Sequence, residues 1–122
     1  MSQSSADSIR FLRSLRAVRE YTPEPIPDDV VNDILDVARW SGSASNKQPV
    51  ELVVVRDPDV KQKISNGGVR AAAGAPLAFV IVTPGDPDRR DLEVFDDGRL
   101  VERLMLAAKA HGLGSNIGTL KG

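Results

Sequence analysis

Residues 97–119 read DGRLVERLMLAAKAHGLGSNIGT, and the reading of this stretch decides the fold. Leu100, Val101, Leu104, Met105, Ala107 and Ala108 recur at helical spacing, so a helix is predicted from about Asp97 to His111. The stripe is wider than a surface helix needs, which places the helix at the centre of the core or at a subunit interface. Gly112 can take the left-handed conformation that ends a helix. The small-residue run Gly114–Thr119 is expected to enter a strand. His111, just before the capping glycine, can meet the negative helix end, so its expected role is structural.

Upstream, apolar residues at Ile9, Leu12, Leu15 and Val18 predict a helix from about Asp7 to Arg19, stopped by Pro23 and Pro25. A second helix is predicted from Asp28 to Trp40, with Pro27, Asp28 and Asp29 suited to its positive N-terminal end. Val30, Val31, Ile34, Leu35 and Ala38 form its apolar face, and Trp40 is expected to anchor the core. Leu52–Val55 and Leu77–Val82 are short apolar runs, expected as strands buried on both faces. Between them a short helix is predicted around Val60–Ile64, with a further helical turn at Val69–Ala73. Thr83–Asp88, with two prolines, is predicted as a loop. This order of elements fits one α+β layered domain spanning residues 1–122.

The bulk properties restrict the chemistry. The chain has 122 residues and a formal net charge of -1, so no strong field draws it to nucleic acid or an anionic membrane. With no Cys and one His, thiolate and conventional histidine metal sites are not expected. No run is long and apolar enough for a signal peptide or a membrane span, and a soluble cytoplasmic protein is expected. An enzyme of this composition must use carboxylates, hydroxyls or a borrowed organic cofactor.

Three segments could carry chemistry. Arg16 and Arg19, near the expected end of the first helix, could clamp a phosphate through charge-assisted bonds, although a solvated basic face is the commoner meaning of such spacing. The loop Ser41–Pro49 offers donors and acceptors of the kind a heteroaromatic edge requires, although such residues are ordinary in loops. Gly112–Thr119 has glycines reminiscent of a dinucleotide fingerprint. It follows a helix instead of a strand, and its third glycine is misplaced, which rejects a Rossmann site. What remains is a cap followed by small residues that let a flat ligand approach backbone amides.

In this order the segments resemble the nitroreductase family of FMN-dependent NAD(P)H oxidoreductases. The resemblance rests on residues 16–21 (RAVREY), 25–29 (PIPDD), 38–49 (ARWSGSASNKQP), the strand at 52–55, residues 74–76 (GAP) and 107–115 (AAKAHGLGS). It implies an α+β fold in which a layered sheet is flanked by helices and a long central helix lies at a dimer interface. It further implies that Arg16, Ala17 and Arg19 grip the FMN phosphate. Ser43, Ala44, Ser45, Asn46 and Gln48 would reach the flavin, commonly across the dimer interface, and Ile117, Gly118 and Thr119 would lie against its ring. The implied reaction passes a hydride from NAD(P)H through flavin to a nitroaromatic, quinone or similar small acceptor.

Three positions depart from the family pattern: Leu15 where an Arg is usual, Ala17 for a Ser, and Val50 for an aromatic. Family members also continue beyond residue 122, with a further basic phosphate contact and an extension over the partner subunit. A non-catalytic flavin-binding or subunit-interaction domain is therefore the alternative expectation.

Overall fold

The computed structural model describes residues 2–121. Four helices, α1 (Gln3–Arg13), α2 (Asp28–Arg39), α3 (Pro58–Asn66) and α4 (Arg90–Ala110), accompany two strands, β1 (Glu51–Val55) and β2 (Ala78–Val82). Short 3-10 turns lie at Ala44–Asn46, Arg70–Gly74 and Pro87–Arg89. The architecture is α+β, with a sheet flanked by helices and one long helix toward the C-terminus. Among the described residues no helix is long and apolar enough to cross a membrane.

The strands pair antiparallel, Leu52 opposite Ile81 and Val54 opposite Phe79. Side chains alternate across a strand, so these four residues share one face. Leu52, Phe79 and Ile81 pack on the core cluster Ile34, Leu100 and Leu104, supplied by α2 and α4. The core is thus a wedge between two helices and one sheet face. The other sheet face is covered only in part: Val55 is buried but Val53 is 47% exposed, which corrects the expectation of strands buried on both faces. A continuous β-branched run has no alternation to reveal such one-sided cover.

Local chemistry explains the helix ends. The Ser2 hydroxyl accepts the Ser5 N–H at 3.0 Å and starts α1 four residues earlier than apolar spacing suggests. Asp28 and Asp29 stand in the first turn of α2, and Arg56 ties that turn to the end of β1 by bonding Asp28 at 2.9 Å. Asp57 caps α3, accepting the Asp59 N–H at 2.8 Å, with Pro58 in the first turn. Gly112, at φ 75°, reverses the chain after α4. His111 caps α4 and pairs with Asp33 of α2 at 3.1 Å.

Trp40 differs from expectation. It caps the C-terminal end of α2 and is 74% exposed, so it does not anchor the core of a single chain.

Leu104, only 7% exposed, is with Leu100 one of the two buried apolar residues that α4 gives to the core cluster. Leu104→Ala is expected to cost about 3 kcal/mol in a urea unfolding experiment, and Val53→Thr less than about 0.5 kcal/mol. Equal losses would contradict the one-sided core.

Candidate functional site

The basic segment is not helical. Ser14 closes α1, donating its N–H to the Arg10 and Phe11 carbonyls at 3.1 Å. Arg16, Ala17 and Arg19 therefore lie on extended chain beyond the helix, which corrects their expected place on it. Tertiary pairing explains the difference. Ala17 forms a parallel bridge with Ser115, and the Val18 N–H donates to the Ser115 carbonyl at 2.8 Å. Leu15 and Val18 continue the apolar spacing, but their backbone is committed elsewhere.

Arg16 and Arg19 are exposed, and neither has a carboxylate within ion-pair distance among the described residues. The Arg16 guanidinium donates through Nη1 to the Arg13 and Leu15 carbonyls, both at 2.8 Å, and so satisfies the end of α1.

The bridge brings the segment after α4 beside this basic stretch. Gly114–Thr119 does not form the expected strand: pairing is confined to the single bridge at Ser115. Its glycines serve packing within the chain. A Cβ on Gly114 would stand 2.9 Å from Val18, and one on Gly118 would stand 2.8 Å from Val69. The close approach that the small residues permit is thus taken up on those sides by valine side chains. Ile117, Gly118 and Thr119 line a cleft of about 910 Å³ that also reaches Tyr21, Phe79 and Met105. Val18 lines the same cleft, so the two segments meet at its rim.

The third predicted piece lies elsewhere in the chain. Ser43 and Gln48 line a separate recess of about 480 Å³ with Arg39, Gly42, Asp96 and Leu100. No residue of the loop 43–48 lines the larger cleft. Ser45, Asn46 and Gln48 have φ of 54°, 52° and 51°, three left-handed non-glycine residues within four positions. Such backbone is uncommon outside sites whose surroundings over-determine it. The loop closes on itself through the Gln48 N–H donating to Ser43 Oγ at 2.8 Å.

Three acids of α4 are functional in structure and had no place in the sequence expectations. Glu93 and Asp96 are buried, and Asp97 is half-buried. Glu93 accepts the backbone N–H groups of Gly85 and Asp86 at 3.1 and 3.3 Å, and Asp96 accepts that of Ala44 at 2.9 Å. The Asp97 side chain lines the larger cleft, with Oδ1 buried and lacking a hydrogen-bond partner. Burial, and then the neighbouring Glu93 and Asp96 charges, push its carboxyl above the usual aspartate range. One signal could have found them. Glu93, Asp96, Leu100 and Leu104 stand three and four residues apart, so the acids extend the buried stripe backward.

Comparison with known proteins supplies the context for this geometry. Residues 12–67 match the profile of the nitroreductase family. A relative from Archaeoglobus fulgidus is 29% identical over 113 residues, 89% of this chain and 65% of its own length. An iodotyrosine deiodinase from Nematostella vectensis is 38% identical over 64 residues, 52% of this chain and 24% of its own. Among solved structures, an FMN-dependent nitroreductase from Clostridium difficile aligns with a TM-score of 0.75 at 28% identity. It covers 87% of this chain and 62% of that one. The chain spans less than two thirds of the length of each of these relatives.

The cleft acid gives a pH test. The folded chain holds the Asp97 proton more tightly than the unfolded chain, so stability should fall as pH rises from the ordinary aspartate range through the raised value. Asp97→Asn should flatten that decline in urea midpoints measured from pH 4 to 7. A variant less stable than the parent at pH 7 by more than about 1 kcal/mol would contradict the assignment.

Proposed function

Because the chain matches the nitroreductase family in sequence and in fold over part of its relatives' length, we propose that it works as an FMN-dependent oxidoreductase. It takes a hydride from NAD(P)H and passes electrons to a small organic acceptor such as a nitroaromatic or quinone. The observation that carries this reading is the parallel pairing of Ala17 and Val18 with Ser115, which brings the backbone of the 16–19 stretch beside the small-residue segment of the cleft. Val18 lines the cleft itself, and neither arginine does.

The residues fit such a cofactor. Arg16 and Arg19 offer positive charge that no carboxylate among the described residues neutralises, as an anionic phosphate tail requires. Ala17 places a backbone amide and no bulk between them. Ile117, Gly118 and Thr119 present backbone, one exposed apolar side chain and one hydroxyl to a planar ring. When bound, FMN supplies the redox-active ring that takes up hydride and releases electrons to the acceptor. The protein's own part is to bind the phosphate, orient the ring and present donors to its edge.

Ser43, Ser45, Asn46 and Gln48 serve as those donors from a second copy of the chain, with Ala44 contributing contact alone because Asp96 takes its N–H; within one chain their loop opens on a different recess. A homodimer is thus part of the proposal. Exposed apolar side chains on α1 and α4 support it: Leu12 is 52% exposed, Val94 63% and Phe95 68%. One observation favours the non-catalytic alternative. Arg16 already donates to two carbonyls, and Leu15 and Ala17 lack the polar groups that the family places there.

Two measurements test the reading. FMN should bind in a fluorescence titration, and Arg16→Ala with Arg19→Ala together should weaken it by about a hundredfold, the ratio expected for two charge-assisted contacts. Unchanged affinity would refute the phosphate site. Anaerobic NADH or NADPH should bleach the bound flavin, whereas bound but unreactive flavin would favour the non-catalytic alternative.

A further inference from the structure

The loop 43–48 holds three non-glycine residues in left-handed backbone, and a strained segment persists only where its surroundings fix it. Its internal bond, Gln48 N–H to Ser43 Oγ, closes the turn but does not orient it against the rest of the chain. The external contacts come from α4 and the turn before it. Arg103 Nη1 donates to the Trp40 carbonyl at 3.0 Å, and Arg89 Nη2 reaches the Ala44 carbonyl at 3.5 Å. Asp96 Oδ2 accepts the Ala44 N–H at 2.9 Å.

These contacts are unequal. The Arg89 contact is long, and the Arg103 bond lies at an exposed position ahead of the loop. The Asp96 side chain is 5% exposed, so its bond to Ala44 is sheltered from competing water. Its other oxygen lies 3.9 Å from Arg99 Nη1. The Arg99 guanidinium in turn covers Gly42, where an added Cβ would meet Nη2 at 2.8 Å. One buried carboxylate therefore holds the loop at Ala44, immediately before the left-handed stretch, with its arginine lying against Gly42.

We propose that Asp96 is the positioning residue for the loop 43–48, fixing the polar groups of Ser43, Asn46 and Gln48 in the conformation that a ligand edge meets. The flavin assigned to that loop rests on the function proposed above; the positioning role rests on the contacts within the chain. Glu93 provides an internal comparison. It is another buried carboxylate three residues away on α4, but it holds the turn at Gly85 and Asp86.

Lys47, exposed within the loop, offers a tryptic site that reports the loop's order. Limited trypsinolysis of the whole chain, followed by mass spectrometry, should show cleavage after Lys47 faster in Asp96→Ala by about tenfold, the ratio for a lost charge-assisted bond. Cleavage after Lys63 should be unchanged. Asp96→Asn, which keeps the shape and an accepting oxygen, should lie between the parent and Asp96→Ala. Glu93→Gln should leave Lys47 as protected as in the parent.

Equal acceleration at Lys47 in the Glu93→Gln and Asp96→Asn variants, or none in either Asp96 variant, would overturn the proposal. An FMN titration of the same proteins separates the two readings. Failure of the parent to bind FMN sinks the flavin assignment, while the Lys47 result still decides the role of Asp96.

Discussion

Helix α4 buries one continuous stripe, Glu93, Asp96, Leu100 and Leu104, and the rest of the chain is arranged around it. The C-terminal half of the stripe is apolar and packs against Ile34 and the sheet residues Leu52, Phe79 and Ile81. The N-terminal half is acidic and pairs with backbone N–H groups of two loops. Burying a carboxylate is costly unless it is hydrogen-bonded, so those loops must close on the helix once the apolar half has docked. Packing and loop geometry are thereby coupled through a single element.

The end of α4 extends the same logic to the candidate site. Gly112 turns the chain, the Leu113 N–H donates to the Ala108 carbonyl at 3.0 Å, and Ser115 arrives beside Ala17. The basic stretch at 16–19 is held in place by this arrival and not by α1, which has no buried residue. Gly114 and Gly118 are required because Val18 and Val69 press against them. A larger residue at either position would separate segments whose proximity defines the cleft rim.

Much of this was legible in the sequence because it follows apolar spacing or local capping. The 3.6-residue period of Val30, Val31, Ile34 and Ala38 placed α2, and Gly112 marked the end of α4. The start of α4 was not legible, since its first two turns bury acids and an apolar stripe begins only at Leu100. Apolar spacing carries the first helix on through Leu15 and Val18, but long-range pairing of Ala17 and Val18 with Ser115 holds the chain extended there. The strand expected at 114–119 depends on partners that periodicity cannot see, and only one bridge forms. The residues proposed to bind the cofactor were found by resemblance. Spacing alone would have left Arg16 and Arg19 as a solvated basic face.

The account stands on residues 16–19 and 115–119 acting as one cradle. Amide hydrogen exchange of the protein with and without saturating FMN tests this most directly. Protection should rise in both segments together, with the Val18 amide among the slowest of the first. Slowing confined to one of them, or found only along β2 and the apolar wall of the cleft, would contradict it.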